Sequence, residues 1–325
     1  HVYGNTHVEL TGSYSPVFLQ QAYHHILKLS PYEDRSFIIH HGIRFIKYFC
    51  ASNQHSLSSF SYLHFVKKGD RNLVDTHYET ILQLVYAIMH DMEHIKIPVL
   101  HDYYLKKFHL QKPELPYETI LYDEVQDCSP VMIDIVESQQ SKRIYVGDPH
   151  QQVYAWRGAV NAFEHLQLPK LELGTSYRFS QGIGNLALDV LKWKEKLSLP
   201  TAIYRNIESA GPNPDVKYSA LIARSTSGVL KEAVSFIRTN KNAKVCFQGG
   251  LSSYINHELG FSILDLHDFM NGTKSAKPFS FLSDKSPEDV EAYATMADDH
   301  LLSAFLKLCK EYKNELPAII GMIKR

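Results

Sequence analysis

Thr119-Ile120-Leu121-Tyr122-Asp123-Glu124-Val125-Gln126-Asp127 is the stretch from which the fold can be read. Its first four residues have the length and composition of a buried strand, and the run ends on two adjacent carboxylates. Ser129-Pro130 follows, reading as an N-cap with proline at the first helical position, where a missing N–H is harmless. Arg143-Ile144-Tyr145-Val146 is a second apolar run, closed by Gly147-Asp148. Strand, helix and strand in that order predict a β-α-β unit. Loops at the carboxyl edge of parallel strands converge on a crevice where ligands bind.

On the N-terminal side, residues 16 to about 110 read mostly as helices. Pro16 opens the run Val17 to Tyr23, and Ile81, Leu82, Val85, Ile88 and Met89 recur at helical spacing within 78–92. On the C-terminal side, Lys170 to Leu173 reads as a strand, and Ser180 as the cap of a helix from Ile183 to about Trp193. Gly211-Pro212-Asn213-Pro214 breaks the chain. Strands at 218–223 and 244–247 then flank a helix at 229–238, and 289–325 reads as helical again. The order helical, α/β, α/β, helical predicts an α/β fold with two partial parallel-sheet lobes carrying helical insertions.

Composition sets the class but not the chemistry. With 325 residues, 44% hydrophobic and 21% charged, the chain is neither a disordered tail nor a collagen-like repeat. No run of about eighteen apolar residues predicts a membrane span, and no basic-then-apolar start predicts a secretory signal. The chain opens on His1 rather than Met, which reads as a fragment or a processed product. A net charge of −1 neither favours nor excludes a nucleic-acid partner, because a basic groove can sit on a neutral protein. Cys50, Cys128, Cys246 and Cys309 are scattered without a C-x-x-C pair. That fits reduced thiols inside a cell rather than a disulfide framework or a zinc knuckle.

Three elements carry chemistry. Asp123 and Glu124 pair a carboxylate able to hold Mg2+ with one able to orient or deprotonate an attacking water, as phosphate hydrolysis requires. Alone, the pair reads as a solvated acidic turn. After the second strand, residues 147–159 place a glycine, a polar turn, Gln151, Tyr154, Trp156 and Arg157 at the same edge. An amide at Gln151 can bond a terminal phosphate, and Tyr154 and Trp156 offer faces for unpaired bases, at about 1–3 kcal/mol per base. The alternative is that both aromatics are core residues. Third, Arg178 lies just before a helix, where a guanidinium can pair with phosphate, beside Tyr177, able to cover a base; an arginine in such a turn is otherwise a solvated charge.

In this order the elements resemble motifs II, III and IV of UvrD/Rep-type superfamily 1 DNA helicases: Asp-Glu-x-Gln-Asp, Gly-Asp-x-x-Gln-x-x-Tyr-x-(Trp/Phe)-Arg-Gly-Ala and Tyr-Arg. The 147–152 and 157–162 wording, with Phe179 after the arginine, most resembles the F-box DNA helicases. Residues 118–250 carry the likeness, Leu221 to Ser225 and Gly249-Gly250 included. It implies ATP and Mg2+ as cofactors and a P-loop NTPase helicase architecture. Its segments would be 1–112, a helical insert of the first lobe; 113–170, part of that lobe; 171–250, part of the second lobe; and 251–325, its helical insert. The roles it implies are Mg2+ binding for Asp123, water activation for Glu124, nucleotide sensing for Gln126 and Gln151, adenine stacking for Tyr177 and γ-phosphate contact for Arg178. Tyr154, Trp156 and Arg157 would grip single-stranded DNA. The resemblance further implies 3′ to 5′ movement in replication-stress response and recombination repair, a nuclear location, and ubiquitin-ligase subunits as partners through an F-box lying before His1.

The departures set a further expectation. No G-x-x-x-x-G-K-[ST] loop occurs in these residues, and the C-terminal motifs would lie beyond Arg325, so the isolated chain should hydrolyse ATP negligibly. Two rival readings stand beside the motor. One is a non-catalytic helicase relic that binds DNA or a partner. The other is a zinc metalloprotease using His90, Glu93 and His94, whose H-x-x-E-H spacing puts two histidines one helical turn apart; the competing view is a polar helix end.

Overall fold

A computed structural model describes all residues except 1, 5, 154–158, 161, 167, 170, 198–207, 210–219, 241–243, 258–259, 273–281, 283–284, 297–298 and 325. In chain order the elements are β1 (Leu10–Thr11), α1 (Pro16–Ala22), α2 (His24–Leu27), α3 (Arg35–Ala51), α4 (Arg71–Glu93), β2 (Val99–Leu100), α5 (His101–Leu110), β3 (Thr119–Tyr122), α6 (Pro130–Glu137) and β4 (Lys142–Tyr145). There follow α7 (Ala162–His165), β5 (Thr175–Ser176), α8 (Gln181–Lys196), β6 (Glu208–Ser209), α9 (Thr226–Thr239), α10 (Ser252–Ile255), α11 (Ile263–Met270), α12 (Pro287–Met296), α13 (His300–Tyr312) and α14 (Leu316–Ile323). The class is α/β: the three described strand pairs, β1–β2, β3–β4 and β5–β6, are all parallel.

The chain divides into two compact units, one of residues 1–12, 44–71 and 89–219, the other of 13–43, 72–88 and 220–325. In the first, β3 and α6 form where the sequence places them. Pro130 opens α6, although Ser129 caps it without a side-chain bond. β3 and β4 pair from Thr119↔Lys142 to Tyr122↔Tyr145, so both strands end at one level and their following loops share an edge. Val125, Cys128 and Ala162 are buried there, with Tyr122, Met132, Tyr145, Phe163 and Leu166 packed against them. The opposite side of the pair is open, since Leu121 and Ile144 are exposed. Purely parallel strands are normally covered on both faces.

The C-terminal part of the second unit is built on a helical core. Leu230, Val234, Ile263, Leu266, Leu302, Phe305, Ile319 and Ile320 are buried together along α9, α11, α13 and α14. Ser262 and Asp265 form a reciprocal capping box on α11. Asp299 caps α13 by accepting from Leu302 N–H at 2.9 Å, and its other oxygen lies 3.0 Å from Nε2 of buried His257. Burial opposes ionisation of Asp299, but His257 and the cap N–H groups outweigh it and hold the carboxyl below its usual value. A depressed carboxyl contributes stability that is complete above the unfolded value near pH 4 and fades as pH falls through the lower folded value. Asp299→Asn keeps a competent cap and removes the charge facing His257. It should therefore lower stability by about 1–2 kcal/mol at neutral pH, with parent and variant unfolding midpoints converging as the pH is taken below about 4.

Several local expectations differ. Leu171 to Leu173 is exposed and forms no strand; pairing comes instead at Thr175–Ser176. Residues 220–223 and 244–247 join no ladder, and Ile222 is 94% exposed. The helix expected at 183–193 extends over Gln181–Lys196, and the helical 289–325 breaks at the Asp299 cap and again at Lys313, whose φ is 42°. Lys170, Gly211 to Pro214, Tyr218 and Ser219 lie outside the described residues.

Candidate functional site

The site begins where β3 runs out. Glu124 takes left-handed backbone angles, φ 53° and ψ 38°, an uncommon conformation for a residue with a side chain. That turn drives the chain into a short 3₁₀ helix, Val125–Asp127. Val125 N–H donates to Val146 O at 3.1 Å, carrying the β3–β4 ladder one step past the strand end, while its side chain is fully buried. Asp123 and Glu124 are left exposed on the rim, anchored from behind by Val125.

Side-chain hydrogen bonds then tie the two strand ends together. Buried Gln126 donates from Nε2 to Glu124 Oε2 at 2.6 Å and accepts at Oε1 from Asp148 N–H at 3.0 Å. A carboxylate needs a donor and an N–H needs an acceptor, so these partners fix which way the amide faces. Asp148 in turn accepts from His150 N–H at 2.9 Å and from Gln151 Nε2 at 2.7 Å. Asp123 accepts from Glu124 N–H at 2.9 Å, and Asp127 from Val153 N–H at 3.0 Å. Gly147 is what lets Gln126 lie so close: a Cβ there would fall on Gln126 Oε1 and come within 3.1 Å of Val125 N.

Four of the sequence-predicted residues, Asp123, Glu124, Gln126 and Gln151, thus stand in one connected cluster. Tyr177 and Arg178 are exposed just after β5, with Arg178 N–H donating to Ser176 Oγ at 3.3 Å; among the described residues neither side chain bonds to that cluster. α8, the helix that follows them, does reach it, since Lys194 Nζ lies 3.3 Å from His150 Nδ1. Tyr154, Trp156 and Arg157 lie outside the described residues. Asp148 joins the site without being among the residues expected there from the sequence, and Gly147 enters that expectation only as the glycine of the 147–159 edge. The signal was present, because Gly147-Asp148 closes β4 at the same edge where Asp123-Glu124 closes β3.

Chemically, two neighbouring exposed carboxylates are the oxygen donors that a hard cation such as Mg2+ takes. Glu124, held by Gln126, is a carboxylate aimed by a fixed amide, and Gln151 is a second amide at the same edge. The H-x-x-E-H residues are arranged otherwise. Glu93 accepts from Tyr103 Oη at 2.9 Å and from Lys107 Nζ at 2.6 Å, and His94 Nδ1 bonds back to His90 O at 2.8 Å. Among the described residues, His90, Glu93 and His94 do not present a shared set of ligand atoms.

The model of the UvrD/REP helicase N-terminal domain matches residues 52–167, a span that holds the whole cluster. F-box DNA helicase 1 of Gallus gallus is 29% identical over 249 residues, which is 70% of this chain and 23% of that protein. F-box DNA helicase protein 1 of Schizosaccharomyces pombe is 31% identical over 169 residues, 48% of this chain and 18% of that protein. The chain spans less than a quarter of the length of either relative. Residues 52–167 are thus similar to the UvrD/REP helicase N-terminal domain, and parts of the chain are similar to two proteins named as F-box DNA helicases.

Proposed function

We propose that this chain is the part of an ATP-dependent DNA helicase that supplies the acidic side of its nucleotide site and a grip on single-stranded DNA. The observation that carries the reading is the hydrogen-bonded path Glu124–Gln126–Asp148–Gln151, which couples the ends of two parallel strands. Asp123 would hold Mg2+, which when bound offsets charge on the phosphates. Glu124 takes the proton of the attacking water. Gln126 fixes Glu124 and, with Gln151, registers the nucleotide through the amide path. Tyr177 covers the adenine and Arg178 reaches the γ-phosphate from the 171–250 segment, while 1–112 and 251–325 are inserts. Tyr154, Trp156 and Arg157 stack on and pair with the strand, along which the protein moves 3′ to 5′. Likeness to proteins named F-box DNA helicases supports a nuclear role in recombination repair after replication stress, with ubiquitin-ligase subunits as partners of the complete protein.

Fluorescence anisotropy with a labelled single-stranded oligonucleotide tests the DNA half on the chain as it stands. Binding should weaken about tenfold or more in Trp156→Ala, in line with about 1–3 kcal/mol per stacked base, and should fall with salt. Equal binding by parent and Trp156→Ala would remove the DNA grip from these residues.

A further inference from the structure

Three side chains from separate elements of the first unit meet away from the acidic site. His55 lies on an exposed turn beyond α3, His109 in the last turn of α5 and Asp134 within α6. His109 is only 3% exposed, its Nε2 is 2.7 Å from Asp134 Oδ2, and its ring stacks on that of His55 with centroids 4.8 Å apart. One ligating atom from each lies within 4.8 Å of the others, and no other such group of three occurs among the described residues.

We infer that His55, His109 and Asp134 form a binding site for a zinc-like divalent transition-metal ion. Two imidazoles and a carboxylate are a donor set that zinc takes, with water as a fourth ligand. Ligand atoms on one tetrahedral ion stand about 3.3 Å apart at ordinary zinc bond lengths, so the His109–Asp134 pair, now 2.7 Å apart, must open slightly while His55 closes on it. His55 is the member able to swing inward, being exposed and on a turn. His109 is ready to change tautomer, because its Nδ1 is buried with no hydrogen-bond partner to fix the ring proton. The proton can move from Nε2 to Nδ1 without breaking a bond there, and the ion then takes the place of the Nε2–H shared with Asp134. Lys106 is a nearby opposing charge; its Nζ is turned to Ser52 O at 2.7 Å and leaves Asp134 as the compensating anion.

Zinc titration of the 325-residue chain against a chromophoric chelator, with Co2+ absorption as a second readout, tests the site. One equivalent should bind, and His55→Ala and Asp134→Asn should each weaken it tenfold or more, with far-UV circular dichroism unchanged. His94→Ala should leave it as in the parent, which separates this site from the H-x-x-E-H pair among the 18 histidines. Stoichiometric binding that survives both His55→Ala and Asp134→Asn, binding lost in His94→Ala, or no stoichiometric binding by the parent would overturn the inference. His55 is exposed, so its removal does not threaten the fold.

Discussion

Glu124→Gln in the complete gene product is expected to reduce DNA-stimulated ATP hydrolysis by about 10²–10⁴-fold, the usual contribution of a positioned base. The substitution is unusually clean here. Glu124 accepts a hydrogen bond from Gln126 Nε2, and a glutamine at 124 can present its carbonyl oxygen to the same donor. The path to Asp148 and Gln151 then survives, and what disappears is the charge that would accept a proton from water. Nucleotide and oligonucleotide binding should stay near the parent values while turnover collapses, the signature of an interaction used in the transition state. Unchanged turnover in the variant would remove Glu124 from the chemistry. A parent with no DNA-stimulated turnover at all would favour the non-catalytic relic.

Gly147→Ala carries the second large effect, this time on stability. The added methyl would land on Gln126 Oε1 and sit 3.1 Å from Val125 N and 3.2 Å from Phe163 Cε2. Two of those neighbours are held in place, Gln126 by bonds on both sides and Val125 by burial. Overpacking of this kind destabilises by about 1–3 kcal/mol. Chemical denaturation should show that loss, and Gly147→Ala made together with Gln126→Ala should lose less than the sum of the two single variants, because removing the amide relieves the worst contact. Strict additivity would mean that Gly147 and Gln126 do not meet.

The β3-α6-β4 unit was legible because each local signal pointed the same way: an apolar run, Pro130 at the helix start, a second run, and polar residues at both strand ends. The parallel register follows from that order. The strands expected at 218–223 and 244–247 are the opposite case, since the described residues 220–223 and 244–247 join no ladder. A short apolar run becomes a strand only when a neighbour completes its ladder, and nothing local distinguishes such a run from an exposed segment such as Leu221-Ile222. The β1–β2 pair had the opposite problem, since two residues at each of Leu10–Thr11 and Val99–Leu100 are too short to show a period. Within the site, the residue types were readable but the wiring was not. Asp148 links Gln126 to Gln151 through its backbone N–H as well as its carboxylate, and a backbone donor leaves no mark in a pattern of side chains. The grouping of His55, His109 and Asp134 was equally invisible, because it depends on the packing of α5 on α6.

On this reading the carboxylates after β3 and the polar turn after β4 hold a metal-bound nucleotide. The most direct measurement replaces Mg2+ by Fe2+ in the nucleotide complex of the complete gene product and maps peroxide-driven backbone cleavage by mass spectrometry. Scission should cluster at about residues 122–126 and 147–151, adjoining the cluster described above, and should vanish in Asp123→Ala. Cleavage at those two segments that persists in Asp123→Ala, or cleavage that falls only around His90–His94 or His109, would contradict this reading.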